Sequence, residues 1–277
     1  MTANRSDSQR SSCLKTICAG VALLLAISCA AIAQTSSEPN PLATRRGFEL
    51  GAQLAQYHYE EPSFAQFTGS RGGIVGAYTF PSSWNRAFLR IDGRGSYGSL
   101  KYQGSGTQDS VPDLIVEARG VAGMDFPSGS GVSFSPYLGV GYRYLYNDFR
   151  GDTSTGFAGY RRYSRYLYAP VGATIRFALG SRWVLSPTGE ADIFIRGKQK
   201  SRLSDVNVGS NDVTNTQKRG GGYRASLMVE KDHLAFGAWL HYWDIKDSDV
   251  QPVGPGQPGR EPANWTRESG IEFRYRF

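Results

Sequence analysis

Charged residues at alternate positions are the part of this sequence that could do chemistry. Arg90, Asp92 and Arg94, for example, are separated by single apolar or small residues. Carboxylate and guanidinium groups at this spacing can form charge-assisted hydrogen bonds with one another when they face one enclosed space. We therefore predict an internal ion network. Its candidate members are Arg90, Asp92, Arg94, Glu117, Arg119, Arg143, Arg176, Glu190, Asp192, Arg196, Arg224, Glu230, Glu272, Arg274 and Arg276.

The alternation has the two-residue period of a β-strand, in which successive side chains point to opposite faces. From 271 to 277, every odd position is apolar and every even one is charged. A strand of a soluble sandwich can show this pattern, but several successive inward charges would destabilise an ordinary core. A transmembrane β-barrel accommodates them, because its apolar side chains face lipid and its polar ones face the lumen.

Ten segments show this pattern, and the connections between them alternate between long and short. Both termini fall on the side of the short turns, as in outer-membrane barrels with long extracellular loops and short periplasmic turns. We predict an all-β fold, a transmembrane antiparallel up-and-down β-barrel of about ten strands. The strands are placed near 47–59, 72–80, 89–97, 112–126, 132–146, 167–177, 190–196, 217–230, 234–245 and 265–277. The phase of the ninth stays open, because Trp239, Tyr242 and Trp243 occupy both of its faces.

Residues 1–33 have the pattern of a cleaved secretory signal peptide. Basic residues precede a short apolar core, and Ala31-Ile32-Ala33 forms a small-x-small cleavage site. The core is shorter than the roughly 20 residues of a membrane-spanning helix, which disfavours a retained anchor. Lipoprotein processing at Cys29 is a third interpretation, although the residues before Cys29 make a poor lipobox. We expect 34–46 to be a flexible periplasmic lead-in and 47–277 to form the barrel.

Cysteine usage and charge exclude several classes of function. All three cysteines, Cys13, Cys18 and Cys29, precede the predicted cleavage site, so the exported chain would have no disulfide or thiol chemistry. The formal net charge is +7, but no run of Lys or Arg accompanies it. A nucleic-acid partner would require such a run or a recognition motif. We expect no nucleic-acid partner, no metal site and no cofactor.

Four short segments carry a resemblance to known proteins. They are YHYEEP at 57–62, PYLGVGYRY at 136–144, GKQKS at 197–201 and YWDIKDS at 242–248. These segments resemble motifs of a family of uncharacterised Gram-negative outer-membrane β-barrel proteins that are often labelled porin-like. The resemblance extends over most of the chain after residue 33. It implies the barrel fold and an outer-membrane location, and it supplies no catalytic residues because the family has no established activity.

Strand number limits what such a barrel could do. Eight strands leave a lumen just filled by side chains, whereas sixteen or more leave an aqueous channel. Ion pairs across a narrow lumen would close it, so we predict an envelope structural or interaction protein that acts through its extracellular loops. The alternative is a narrow solute pore with a weak preference for anions, because Arg outnumbers Asp and Glu in the inward set.

A remote alternative is a hydrolase at the extracellular rim, similar to the omptin-type proteases, which are also ten-stranded barrels. Their site pairs Asp residues with an Asp/His couple. The candidates here are His58 beside Glu60 and His241 near Asp244, while His233 falls in a predicted periplasmic turn. Neither candidate has the expected Asp-x-His spacing. Acid–base catalysis needs partners within hydrogen-bond distance, and we predict that the protein is not an enzyme.

The C-terminal aromatic residues predict an assembly signal. Phe273, Tyr275 and Phe277 resemble the signal that the outer-membrane assembly machinery reads. We therefore expect periplasmic chaperones and the barrel-assembly machinery as partners during biogenesis. The sequence leaves the oligomeric state open.

Basic residues near the predicted extracellular loops are candidates for a lipid contact. Their side chains could bind lipopolysaccharide phosphates through charge-assisted hydrogen bonds, or they could be solvated loop charges. Outer-membrane lipid and lipopolysaccharide are therefore expected partners. The set comprises Arg161, Arg162, Lys198, Lys200 and Arg202.

Overall fold

The computed structural model describes residues 40–277 except 82–85, 130, 208–209 and 255–256. The predicted signal peptide, 1–33, lies outside this part of the chain. Within it the strands are β1 (Gly47–Glu61), β2 (Ala65–Thr79), β3 (Ala87–Gly104), β4 (Gly106–Met124), β5 (Phe126–Ser128), β6 (Val132–Asp152), β7 (Ala158–Ala178), β8 (Trp183–Ser201), β9 (Val213–Gln217), β10 (Gly220–Lys231), β11 (Leu234–Ile245), β12 (Gln251–Gly254), β13 (Gln257–Gly259) and β14 (Asn264–Arg276). A short 3-10 turn covers Leu203–Asp205. None of the described residues forms a helix long and apolar enough to cross a membrane.

The sheet closes into a barrel with ten wall positions. Their order is β1, β2, β3, β4, β6, β7, β8, β10, β11 and β14, with every neighbouring pair antiparallel. β5 pairs with β6, and β9 pairs with β8 beyond the end of β10. β14 closes the ring by pairing with β1 from Glu49↔Arg276 to Glu60↔Trp265. The predicted ten-stranded antiparallel barrel and its closure by the last strand are confirmed. Closure matters because lipid offers no hydrogen-bond partners to an open sheet edge.

Several strands continue well past their predicted ends on the side away from the termini. β1 and β2 are joined by residues 62–64, β3 and β4 by Ser105, and β6 and β7 by 153–157. Much of what was predicted as loop is therefore strand. The cause is visible in β3, where Leu100 and Tyr102 are buried inside while Lys101 points outwards. The apolar face changes sides there, so a pattern based on lipid-facing residues ends too early.

Below that level the predicted outward residues do lie on the outer surface. They form an exposed apolar belt that includes Leu54, Ile74, Leu138 and Ile271. The structure also fixes the phase of β11. Trp239 and Trp243 point inwards and are buried, so the odd-numbered residues of this strand face the lumen.

The end of the lead-in is anchored at the periplasmic mouth of the barrel. Thr44 donates hydrogen bonds from its backbone N and its Oγ1 to the carboxylate of Asp125, at 3.0 and 2.7 Å. Arg46 Nη2 donates to the carbonyl of Ala87 at 2.8 Å. Of the predicted lead-in, 34–46, residues 34–39 lie outside the described part of the chain, and within 40–46 the buried Asp125 carboxylate holds Thr44.

Candidate functional site in the barrel lumen

Residues of the predicted ion network lie on inward strand faces, and several contact one another across the lumen. β6 and β14 are five positions apart in the ring of ten, so they form opposite walls. Arg143 of β6 nevertheless donates from Nη2 to Oε1 of Glu268 on β14 at 3.0 Å. Arg94 of β3 donates two hydrogen bonds to the same carboxylate, at 3.0 and 2.9 Å. Glu268 thereby joins three walls, and it is 1% exposed.

Glu117 of β4 forms a second junction at the same depth. It accepts hydrogen bonds from Arg94 Nε at 2.7 Å, from Arg224 Nη1 at 3.2 Å and from the hydroxyl of Tyr168. Arg224 of β10 also donates from Nε to Asp192 at 2.6 Å. Because a buried charge is costly without partners, these shared contacts fix the positions of all five side chains.

A third group lies nearer the periplasmic side. Arg119 donates from Nε to Asp92 at 2.8 Å and from Nη1 to Glu190 at 2.6 Å. The hydroxyl of Tyr137 donates to the same Glu190 carboxylate at 2.8 Å. The group therefore connects β3, β4, β6 and β8.

The fourth group surrounds Glu49 of β1 at the periplasmic end. Arg90 donates to Glu49 at 2.8 Å, and Arg274 and Arg276 each have a guanidinium nitrogen 3.2 Å from this carboxylate. Arg276 also donates to Glu230 at 2.5 Å. Two further members of the predicted network are held nearby. Arg274 donates to Glu272 at 2.5 Å, and Arg176 donates to Ser135 at 2.8 Å.

The placement of Arg196 in the lumen network was wrong. A β-bulge interrupts the pairing of β7 with β8: Leu167 pairs with Arg196, but Tyr168 pairs with Phe194. Ile195 is skipped, so Ile195 and Arg196 are both exposed on the outer surface. After the bulge, Gly197 is the next residue of β8 on the inner face of the barrel. A bulge of one residue is invisible to a strict period of two.

The sequence analysis missed several residues of the lumen. Glu268 has the same parity as Glu272, but the alternation was followed only from Ile271, so its role at the centre was not predicted. Arg71 was assigned to a loop because the second strand was started at Gly72. In the structure Arg71 pairs with Asp113, and its guanidinium carbon lies 3.6 Å from the ring centre of Tyr57. Extending each alternation by a few residues would have found these side chains.

Aromatic and aliphatic side chains occupy the lumen beyond the ion groups, towards the extracellular end. One buried cluster contains Tyr57, Phe67, Leu100, Tyr102, Val111, Ile115 and Phe149. A second contains Tyr166, Tyr168, Phe194, Trp243 and Ile245. Trp243 is 1% exposed, and the guanidinium of Arg143 lies 5.3 Å from its ring. The second cluster therefore packs directly on the central ion group.

A polar cavity of about 210 Å³ lies in the periplasmic part of the lumen. It is bordered by the ion groups around Glu117 and Glu49 and, at the periplasmic mouth, by Thr44 and Arg45. Gln53, Trp239 and His241 also line it, and each carries a buried nitrogen without a protein partner. Water could satisfy such atoms in a cavity of this polarity and size.

The three histidines lie far apart. His58 is on the outer wall, where its ring stacks on Trp265 at 4.6 Å and its Nε2 lies 3.2 Å from Glu60. His233 lies in the β10–β11 turn at the periplasmic end, with Nδ1 2.7 Å from the carbonyl of Arg276. His241 faces the lumen cavity. They do not form a shared site.

Most of the predicted lipopolysaccharide-binding residues have carboxylate partners. Arg161 donates to Asp205 at 2.8 and 2.6 Å, and these hydrogen bonds lower the pKa of Asp205 to about 2. Lys200 lies 3.0 Å from Asp212, and a hydrogen bond from Ser204 contributes most to the lowered pKa of that carboxyl group. Arg202 lies 3.6 Å from Asp212.

The remaining two residues of that set differ from the others. Arg162 points into the barrel, where it pairs with Glu61 of β1 at 2.6 Å and with Glu261. Its assignment to a lipid contact is wrong, because β1 and β7 are opposite walls and the side chain lies between them. Lys198, in contrast, is exposed on the outer surface.

The C-terminal aromatic residues lie on the outer surface at the periplasmic end. Phe273, Tyr275 and Phe277 are all exposed. Phe277 N donates to the carbonyl of Phe48 at 2.9 Å, and the two rings are 5.6 Å apart. The last residue therefore extends the closing seam of the barrel.

The closed ring, the apolar outer belt and the polar interior together define a transmembrane β-barrel. The family profile described as outer membrane protein beta-barrel domain matches residues 19–277. The chain belongs to this family, and it is an outer-membrane protein. No curated protein matches the sequence.

Solved structures of outer-membrane proteins match this chain with different scores. The outer membrane protease OmpT from Escherichia coli superposes with a TM-score of 0.57 at 8% identity, covering 89% of this chain and 99% of OmpT. The translocator domain of the autotransporter NalP from Neisseria meningitidis gives a TM-score of 0.37 at 13% identity, with 97% and 98% covered. Ail of Yersinia pestis gives 0.29 at 13% identity, with 83% and 100% covered. At these identities the similarity to OmpT establishes the shared fold and nothing about activity.

Proposed function

We propose that this protein is an integral outer-membrane barrel whose lumen is closed by its own side chains. It acts as a structural or interaction protein of the envelope, through the folded extracellular end of the barrel. The observation that carries the proposal is the contact between Arg143 and Glu268, because a 3.0 Å hydrogen bond joins opposite walls. This contact places two side chains in the middle of the lumen, which narrows any path for water and ions at this depth.

Side chains at two other depths also support closure. Above the central group, buried clusters around Phe67 and Trp243 occupy the extracellular part of the lumen. At the extracellular end, Arg162 connects β7 to Glu61 on the opposite wall and to Glu261 in the segment before β14. Closure therefore depends on several independent layers.

Planar-bilayer conductance of the refolded chain tests the proposal, with a general porin as the positive control. We expect no stepwise conductance. The variant Arg143→Ala with Trp243→Ala should stay silent, because the cluster around Phe67 and the Arg162 bridge are intact. Adding Phe67→Ala and Arg162→Ala removes a side chain from every layer and should give conductance. Stable steps from the unmodified chain would contradict closure. A preference for anions in those steps would support the narrow anion pore.

The exposed C-terminal aromatic residue supports a second part of the proposal, recognition by the barrel-assembly machinery. Phe277 follows the last strand and lies on the outer surface at the periplasmic end. Deleting Phe277 should lower the amount of folded barrel in the outer membrane. Unchanged assembly without it would refute the role.

A further inference from the structure

A basic surface lies on the outer wall of β7 and β8, immediately above the apolar belt. Arg165 and Lys198 are direct cross-strand partners, and Leu167 and Arg196 form the next pair on the same face. The three charged residues are exposed, and in the described part of the chain none has an ion-pair partner. We call Arg165, Arg196 and Lys198 the wall triad.

The wall triad is an unfavourable arrangement unless an anion from outside the chain binds there. Like charges directly opposite one another destabilise a β-sheet. Arg161 and Lys200 show the contrasting arrangement, since each lies within 3.0 Å of a carboxylate from the 202–212 segment. Basic residues on the extracellular side of the triad therefore have acidic partners, whereas the three positive charges of the triad have none in the described part of the chain.

The β-bulge explains how the third charge reaches this surface. Because Ile195 is skipped in the pairing with β7, Arg196 points outwards instead of following Glu190 and Asp192 into the lumen. Bulges re-aim side chains and are treated as functional features rather than defects. Here the bulge places a guanidinium beside the Arg165–Lys198 pair.

The height of the triad on the barrel indicates the chemistry of its ligand. Ile193 and Ile195 are exposed just on the periplasmic side of the triad, and Leu167 adjoins it. Tyr144, on β6, is the other cross-strand neighbour of Arg165. Apolar residues give way here to aromatic and basic ones, as at the interface between lipid chains and headgroups. An anion at this level belongs to a lipid headgroup.

Two more basic residues extend this surface beside β8, just after the end of β9. Gln217, the last residue of β9, pairs with Gly197, and Lys218 and Arg219 follow it directly. Both are exposed. Arginine binds phosphate through paired hydrogen bonds, and lysine contributes a compact charge.

We propose that the wall triad binds the phosphate groups of the phosphorylated glycolipid in the outer leaflet, the lipid A portion of lipopolysaccharide. The site differs from the predicted set, with which it shares only Lys198. It lies on the outer wall, so it is independent of whether the lumen conducts.

The test is binding of bisphosphorylated lipid A to the purified barrel in detergent, followed by native mass spectrometry. The test variant carries Arg165→Gln, Arg196→Gln and Lys198→Gln. The matched control carries Arg161→Gln, Lys200→Gln and Arg202→Gln, which removes the same charge from residues that already have acidic partners. We expect affinity to fall roughly tenfold or more in the test variant and to change less than about twofold in the control.

Two additional measurements keep the result interpretable. Removing three mutually repelling charges should not impair folding, and the gel mobility of the folded, unheated barrel checks this. If the triple variant misfolds, Lys198→Gln alone relieves the cross-strand repulsion and should still weaken lipid A binding. Lipid A stripped of both phosphates should bind the unmodified barrel as weakly as the test variant binds intact lipid A.

Three outcomes would overturn the proposal. The first is equal affinity of the test variant and the unmodified barrel. The second is an equal loss in the control, which would place the contact at Arg161, Lys200 and Arg202 instead. The third is equal binding of dephosphorylated lipid A or of phosphatidylglycerol, which would show acyl-chain contact or recognition of any lipid phosphate.

Discussion

The two ends of strand β3 show opposite polarity although the strand keeps one orientation. Near its periplasmic end Arg90 and Arg94 face inwards and Ile91 faces outwards. Near its extracellular end Leu100 faces inwards and Lys101 faces outwards. The lower, periplasmic part of the barrel is polar inside and apolar outside. The upper, extracellular part is apolar inside and polar outside.

The surroundings of each part explain the inversion. Lipid chains are as apolar as leucine, so burying an apolar side chain in the lumen gains nothing at that depth. In this part of the barrel, ion pairs between inward side chains instead hold the strands in fixed positions across the lumen. Above the membrane the outer surface faces water, and the hydrophobic effect drives apolar side chains inwards as in a soluble protein. The upper part should therefore respond to loss of volume, and the lower part to loss of charge balance.

Removing the central carboxylate should have the largest effect. Glu268→Ala leaves the buried guanidinium groups of Arg94 and Arg143 without this partner, at a cost of about 3–5 kcal/mol. Denaturant unfolding of the detergent-solubilised barrel measures the change. The control Asp232→Asn alters an ion pair with the exposed Arg182, which should cost less than about 1 kcal/mol. Similar losses for both variants would argue against a special role of the buried network.

Loss of volume in the upper part should come next. Phe67→Ala removes a buried ring from the cluster with Tyr102 and Phe149, and should cost about 3 kcal/mol. Phe64→Ala is the matched control, because Phe64 lies only three residues away and is exposed at the β1–β2 turn. That control should change the unfolding free energy by less than about 0.5 kcal/mol. A small effect of Phe67→Ala would mean that the upper part is not a packed core.

The anchored lead-in should have a smaller effect. Thr44→Ala removes the hydroxyl that donates to Asp125, which keeps its hydrogen bond from Ser135. The expected loss is about 1 kcal/mol, with faster proteolysis of the lead-in than in the unmodified chain. Thr214→Ala, at an exposed position of β9, is the control. Unchanged stability and protection would contradict a role of the Thr44 hydroxyl in anchoring, because the backbone N–H of residue 44 still donates to Asp125.

The smallest effect concerns pH at the extracellular end. Asp205 has a pKa lowered to about 2, mainly through hydrogen bonds from Arg161, against about 3.9 in an unfolded chain. A lowered pKa in the folded state means that the contribution to stability is complete above about pH 4 and is lost as pH falls through 2. The carboxyl NMR signal of Asp205 should therefore titrate near pH 2, and in Arg161→Gln it should titrate closer to 4. Equal midpoints would exclude this ion pair as the cause.

The inversion also explains how much the sequence could predict. Alternation in ten segments, clearest over 271–277 and in β3, identified the barrel, the strand number and most inward charges, because lipid imposes one pattern on all strands at the same depth. It did not predict the strands above the membrane, where the polarity changes sides at Leu100. It missed the bulge at Ile195, since one extra residue moves Arg196 to the other face. It also could not show which charges meet, because Arg143 and Glu268 are 125 residues apart in sequence and on opposite walls.

Accessibility of the lumen from each side tests the two-part interior most directly. A chain that starts at Gln34 contains no cysteine, so Ser226→Cys places a single thiol beside the polar cavity. A membrane-impermeant maleimide added from the extracellular side of oriented proteoliposomes should not label it, because the aromatic clusters and the Arg143–Glu268 contact intervene. The exposed Thr214→Cys variant should be labelled fully under the same conditions. Equal extracellular labelling of both positions would contradict a closed upper half.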